Sequence, residues 1–261
     1  MQTPPMVLLT KDADGIATLT LNRPEKYNAF TKDMIILWTR LLTECEEDPS
    51  VKVIVLTGAG KAFCSGGDIS AQKERAKNDA LERKDFLFRH VHKIPRLMAH
   101  LDKPVIAAIN GAARGAGLDM ALMCDLRVMA ESATLAESYI DVGLIAGDGG
   151  TYYLPRLIGI PRALEIFWTG RVVGAAEAER IGMVCRAVPD AELMPATYEL
   201  ARSIATQPFE AVRAYKRSVY QGMTMSLDAH LDMVSAHTSI LRETPEHRAK
   251  VEAFLQRKQK K

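Results

Sequence analysis

The chain has 261 residues, 48% of them hydrophobic and 25% charged, with a formal net charge of +2. That length supports one large domain or a core with a smaller appendage, and the near-neutral balance gives no global attraction to nucleic acid or an anionic membrane. No apolar run reaches the length of a membrane helix, residues 1–5 lack a secretion signal's basic start and apolar stretch, and Cys45, Cys64, Cys124 and Cys185 form no C-x-x-C pair, so the expectation is a cytoplasmic protein with reduced thiols.

Residues 7–9 and 16–21 read as two strands joined around Asp14-Gly15, a hairpin signal. Residues 22–30 form a loop. Thr31 caps a helix with Ile35, Leu37, Trp38, Leu41 and Leu42 on its apolar positions, and Asp48-Pro49 stops it. A β-rich run, residues 51–57, enters a glycine turn, Gly60-Lys61-Ala62-Phe63-Cys64-Ser65-Gly66-Gly67-Asp68-Ile69. From Ile69 to His100 the pattern is helical and charge-rich, and Lys73, Glu74, Arg75, Lys77, Glu82, Arg83 and Lys84 read as a solvated face. A buried strand, residues 104–109, runs into a second glycine turn, Asn110-Gly111-Ala112-Ala113-Arg114-Gly115-Ala116-Gly117, and residues 118–124 continue as a buried helix. Residues 126–130 and 134–136 are extended. Residues 142–150 are a glycine-rich loop carrying Asp148. Residues 151–158 and 162–168 are helical, with Pro161 at a helix start, another helix runs from Gly174 to near Gly182, and 184–188 is the last strand. Beyond Ala191 the strand signals cease, and residues 192–206, 208–221, 227–241 and 245–256 read as successive helices.

Several constellations are excluded. G-A-A-R-G-A-G is not G-x-G-x-x-G and lacks an acidic partner, which argues against a dinucleotide site, and no G-x-x-x-x-G-K-[ST] exists. Ser65 has no convincing histidine partner for nucleophilic catalysis. His90, His92 and His100 read as surface residues rather than metal ligands. Met120, Met123 and Met129 read as core.

The two strand-to-glycine-turn segments, A-F-C-S-G-G-D-I and N-G-x-x-x-G-A-G-x-D, together resemble the crotonase (enoyl-CoA hydratase/isomerase) superfamily, over about residues 15–182. The resemblance implies an α/β fold, a crotonase-like spiral of β-β-α units over residues 1–190, with a C-terminal helical trimerisation region over residues 191–261. It implies a homotrimer or homohexamer that binds an acyl-CoA thioester. It implies no cofactor, since coenzyme A is part of the substrate, and no metal. The amides of Gly67 and Ala116 would hold the thioester oxygen as an enolate forms. Lys26, Ala29, Ala62, Ser65, Gly66, Gly67, Asp68, Ile69, Gly115 and Ala116 match the substrate-binding positions, and Arg257 and Lys258 are candidates for a coenzyme A phosphate. Asp68 also reads as holding its turn, and Asp125 as satisfying backbone donors at a helix end.

An enolate gathers charge on the thioester oxygen, and losing one preorganised donor there costs about 10²–10³ in rate. The proton needs an acid and a base. The superfamily's hydratases share that work between two glutamates. Asp119 stands at the first position, one methylene shorter, and Tyr139 at the second, where a phenol with an ordinary pKa of about 10 is a poor base but a good donor. Asp148 lies where the superfamily's dienoyl-CoA isomerases carry a catalytic aspartate, and Glu137 and Asp141 flank Tyr139 if the register shifts. The resemblance points first to a 2-enoyl-CoA hydratase using Asp119, with an enoyl- or dienoyl-CoA isomerase using Asp119 and Asp148 as the alternative and a non-catalytic acyl-CoA-binding protein as a further one.

Overall fold

The computed structural model describes residues 4–68 and 79–259, so Ile69, Lys73, Glu74, Arg75 and Lys77 lie outside the described residues. The chain opens with the hairpin β1 (Val7–Lys11) and β2 (Ile16–Leu21), paired antiparallel with Leu9 opposite Leu19. Gly15 makes the turn at φ +83, and a Cβ there would stand 2.8 Å from the Ser50 carbonyl oxygen. Helix α1 (Lys32–Glu47) starts as its sequence signals: Thr31 Oγ1 accepts a hydrogen bond from the Met34 amide at 3.3 Å. Its buried face carries Met34, Ile35, Trp38, Leu41, Leu42 and Cys45. Lys103 Nζ closes the helix's far end, donating to the carbonyls of Cys45 at 2.8 Å and Asp48 at 2.6 Å.

Two parallel-rich sheets follow from a repeated step. The chain lays β3 (Val53–Gly58) in one sheet and β4 (Ala62–Cys64) in the other. It then repeats the step with β5 (Val105–Ile109) and β6 (Ala112–Arg114), and again with β7 (Leu126–Ala130) and β8 (Thr134–Ala136). The larger sheet has the order β1-β2-β3-β5-β7-β10 and the smaller β4-β6-β8-β9, with β9 at Val173–Gly174 and β10 at Arg186–Val188. This is the spiral of β-β-α units. Every residue of β3 and β5 is buried, as expected for parallel strands covered on both faces. Between the strands lie α2 (Ala80–Phe86), which continues as a π-helical stretch over Leu87–Val91, then α3 (Lys93–His100) and α4 (Ala116–Leu122). Helices α5 (Gly150–Ile158) and α6 (Ile160–Thr169) meet at Gly159, and α7 is Ala175–Arg180.

Buried polar side chains act as rivets between turns of the spiral. Asn28, fully buried at φ 57, donates to the carbonyls of Ala59 at 2.9 Å, Ala62 at 2.8 Å and Phe63 at 3.2 Å, and accepts from the Arg23 amide at 2.9 Å. Arg127, 4% exposed, donates to the carbonyls of Met183 at 2.8 Å and Cys124 at 2.6 Å. Asp125 does not close a helix end as expected. It accepts from the Val105 amide at 2.7 Å, Lys216 Nζ at 2.8 Å and the Tyr220 hydroxyl at 2.9 Å, joining the start of β5 to a C-terminal helix.

The tail is helical throughout: α8 (Leu193–Ala205), α9 (Phe209–Gly222), α10 (Leu227–Arg242) and α11 (Pro245–Gln259). Helix α8 packs on β3, β5 and β7, whereas α9 buries only Ala214 and α10 buries nothing, leaving Tyr215, Val219, Leu231, Ile240 and Phe254 exposed. Among the described residues no helix is long and apolar enough to cross a membrane.

The tightest fit in the spiral is between the two glycine turns. A Cβ on Gly117 would collide with the Cys64 carbonyl and stand 2.9 Å from Cys64 Cβ. The expected outcome for Gly117→Ala is a loss of roughly 1–3 kcal/mol of stability, the usual cost of overpacking, read by chemical denaturation.

Candidate active site

The first glycine turn is pinned to the loop before α1. Phe30 and Gly67 form an isolated parallel bridge, the Phe30 amide donating to the Gly66 carbonyl at 2.9 Å and the Asp68 amide to the Phe30 carbonyl at 3.1 Å. The Arg23 guanidinium reaches the Ala29 carbonyl and Asp68 Oδ2, the latter at 3.1 Å, so Asp68 holds the turn as expected. Ser65 is exposed, its amide on the Tyr27 carbonyl at 3.0 Å, and Lys26 is exposed beside it. Ala29 and Ala62 are buried, and the Ala62 carbonyl accepts from both Asn28 and Asn110. Gly66, at φ 92, lies against the second turn: a Cβ there would stand 3.5 Å from the Ala116 amide nitrogen and 3.7 Å from that of Gly117. The two motifs therefore meet in space, although some 50 residues separate Gly66 from Ala116 in the chain.

Gly115, at φ 47, turns the chain into α4, and its carbonyl accepts from the Leu118 and Asp119 amides. Asp119 sits in the first turn of α4 and is fully buried. Its Oδ2 accepts from the Tyr139 hydroxyl at 2.8 Å and from the Asp148 amide at 3.1 Å. The same hydroxyl lies 3.3 Å from Asp148 Oδ2, so Tyr139 stands between the two aspartates. The structure thus brings together Asp119, Tyr139 and Asp148, and it adds Glu137. Named from the sequence only as a flanking carboxylate, Glu137 is 1% exposed and lies beside Asp119 at the face of Gly150. The available signal was its place directly after the short apolar strand β8, whose end is buried. Asp141 is exposed and stays outside the cluster.

Three carboxyl groups and a phenol share this interior, and none of the three forms an ion pair with a lysine or arginine among the described residues. Their acidities follow. Burial, then the charge of Asp148, pushes Asp119 up to about 7. Burial, then the charge of the adjacent Asp119, pushes Glu137 up to about 10. Burial also raises Asp148, with His92 opposing, and raises the Tyr139 phenol, which the carboxylates around it raise further. The phenol therefore remains a donor.

A cavity of about 370 Å³ opens beside Asp148, lined by His92, Pro95, Ala99, Ala146, Tyr152 and Tyr153 among others. His92 is not a plain surface residue: its Nε2 lies 2.9 Å from the Gly147 carbonyl and ties α3 to the loop before α5. Another cavity, about 400 Å³, lies on the C-terminal helices around Ser218, Met223, Leu227 and His230, away from the carboxylates. Among the described residues no three His, Cys, Asp or Glu side chains are arranged to hold a metal ion. The side chain of Arg257 lies outside the described residues, and Lys258 Nζ stands 5.3 Å from the Phe254 ring centroid on the exposed α11.

The raised Asp119 has a pH consequence. Folded, it keeps its proton up to about 7, whereas the unfolded chain releases it near 3.8. Its contribution to stability is fully present below the lower value and is lost as pH rises through the upper one, at a slope of at most about 1.4 kcal/mol per pH unit. The unfolding free energy of Asp119→Asn is expected to fall less steeply than that of the wild type between about pH 4 and about pH 8, read by urea titration across that range.

A family model described as enoyl-CoA hydratase/isomerase matches residues 11–261. The chain is 34% identical to 1,2-epoxyphenylacetyl-CoA isomerase of Escherichia coli over 248 residues, covering 95% of each chain. It is 33% identical to crotonyl-CoA hydratase of Syntrophomonas wolfei, covering 97% of this chain and 95% of that one. The fold superposes on the crystal structure of an enoyl-CoA hydratase from Mycobacterium smegmatis with a TM-score of 0.91 at 31% identity, covering 97% of both chains. With the spiral, the meeting of the two glycine turns and these likenesses in place, the chain belongs to the enoyl-CoA hydratase/isomerase family, the crotonase superfamily, and is an enzyme of that family.

Proposed function

We propose that this enzyme moves a double bond within an enoyl- or dienoyl-CoA thioester, with Asp148 as the base that takes and returns the proton. The observation that carries this reading is the Tyr139 hydroxyl lodged between Asp119 Oδ2 and Asp148 Oδ2. Adding water across a double bond calls for two carboxylates facing one water molecule. Here Asp119 is fully buried and the phenol fills the space between the aspartates. Asp148 borders the cavity, and its Oδ1 has no hydrogen-bond partner among the described residues. One reachable carboxylate suits a proton that leaves one carbon and returns to another.

In this reading the amides of Gly67 and Ala116 hold the thioester oxygen. Asp148 breaks a C–H bond, the electron pair flows into the thioester as a dienolate, and the same carboxyl delivers the proton further along the chain, so the product has the mass of the substrate. The single Tyr139 O–H donates to Asp119 Oδ2 or to Asp148 Oδ2 and steadies the charge on whichever is ionised. Asp119 accepts the Asp148 amide and fixes the loop. Lys26, Ala29, Ala62, Ser65, Gly66, Asp68, Ile69 and Gly115 would contact the coenzyme A portion and thioester. The division into a site-bearing core, 1–190, and a helical region, 191–261, belongs to the same proposal, as does a cytoplasmic location. Assembly into trimers or hexamers is supported by the apolar side chains exposed on α9 to α11.

Hydration is the second reading. Its support is Asp119, whose pKa of about 7 suits acid–base work at neutral pH if substrate binding opens a path to it. Incubating 2-enoyl and 3-enoyl thioesters in heavy water separates the two. Isomerisation gives a product without added water, carrying deuterium only as far as the Asp148 carboxyl exchanges its proton with solvent before returning it, whereas hydration adds one heavy water. Asp148→Asn is expected to lower kcat by about 10²–10⁴ with coenzyme A ester binding retained. Ala116→Pro, which removes an amide hydrogen at the first helical position, where proline is accommodated, is expected to lower kcat by about 10²–10³. If Asp119→Asn and Asp148→Asn both turn over thioesters like the wild type, neither carboxylate moves the proton and this reading fails; the non-catalytic alternative requires that the wild type itself turn over none.

A further inference from the structure

We propose that Glu137 is a positioning residue that carries a proton at neutral pH and donates it to Asp119 Oδ1, so that the buried pair holds one negative charge rather than two.

The geometry leaves few alternatives. Asp119 has two oxygens, and Oδ2 is taken by the Tyr139 hydroxyl and the Asp148 amide. Oδ1 is buried, and no N–H or O–H of the described residues reaches it. The same holds for both oxygens of Glu137. Asp119 Oδ1 and Glu137 Oε1 crowd the bare face of Gly150: a Cβ there would collide with the former and stand 2.8 Å from the latter and 2.9 Å from the Ala146 methyl. Orphaned oxygens cost free energy when nothing donates to them. A single proton on Glu137 supplies the missing donor for Asp119 Oδ1 and removes the repulsion between two adjacent carboxylates.

The titratable groups facing the pair come from every element around it. Tyr139 and Asp148 press from the loops, His92 borders Asp148 from the α3 side, and Cys64 on β4 is a fully buried thiol that burial holds protonated, with the charge of Asp148 adding to the effect. None of these supplies a cation to Glu137, and the raised values of Asp119 and Glu137 agree with a pair that gives up its protons one at a time. The pairing also explains why α5 begins at glycine: a side chain at position 150 would occupy the space the two carboxyl groups share.

The kinetic arm of the test rests on the reading of Asp119 and Asp148 as parts of the reacting site, and the spectroscopic arm does not. Difference infrared spectra of wild type against Glu137→Gln at about pH 8 are expected to show a protonated carboxyl stretch in the wild type that the variant lacks and that Asp148→Asn retains. Absence of that band, or its survival in Glu137→Gln, overturns the proposal whether or not the protein turns over thioesters. In the pH profile of kcat/KM, Glu137→Gln still donates an N–H to Asp119, and its acidic limb is expected to stay within about half a unit of the wild type. Glu137→Met fills the space but donates nothing, so Asp119 keeps its proton, the Tyr139 hydroxyl turns to Asp148, and the limb, which reports Asp148, is expected to move down by about one unit or more. A purely space-filling role would leave the limb in place in both variants, and that outcome overturns the proposal.

Discussion

The fold depends on the approach of two backbones, the Cys64 carbonyl at the end of β4 and Gly117 at the start of α4. No side chain fits between them. That contact brings the first glycine turn against the amides that open α4, and it sets the depth at which Asp119 enters the interior. The site is therefore built mainly from main-chain geometry. Small residues dominate both turns because bulk there would separate the two layers of the spiral.

A second constraint follows from what the interior lacks. The carboxyl groups of Asp119, Glu137 and Asp148 are enclosed without a lysine or arginine to pair with among the described residues. Enclosing unpaired charge is expensive, so these groups hold protons beyond their ordinary range and share donors. Tyr139 and the Asp148 amide supply two of those donors. The result is a set of groups whose ionisation is staged across neutral and alkaline pH, the condition under which one member can exchange protons with a substrate while the others keep their shape.

Much of this was legible in the sequence. The β-branched runs before each glycine turn, the Thr31 cap and the cessation of strand signals after Ala191 all correspond to observed elements. The pairing of A-F-C-S-G-G-D with N-G-x-x-x-G-A-G-x-D identified the family, because those glycines answer to a close approach that few other folds require. The carboxylate cluster was legible in part. Asp119, Tyr139 and Asp148 could be placed by motif, but Glu137 could not be ranked above Asp141: Glu137 follows the buried end of β8, whereas Asp141 falls in a short 3-10 turn at the surface that local pattern did not show. His92 and Asp125 were misjudged for a related reason. Their partners, the Gly147 carbonyl and the Val105 amide with Lys216, lie 20 to 91 residues away, beyond the reach of local pattern.

Arg127 carries a consequence for how the spiral opens. Its guanidinium, almost wholly enclosed, is satisfied by the carbonyls of Met183 and Cys124 rather than by an acid. Peeling β10 and the preceding segment from the sheet would take the Met183 carbonyl from the buried Nε and leave the Cys124 and Leu122 carbonyls to hold the guanidinium by Nη1 alone. Fraying from that edge is thereby suppressed, and the closing strand is tied to the cooperative unit at the centre of the molecule, sharing its slow amide hydrogen exchange rather than that of the solvent-facing helices that follow it.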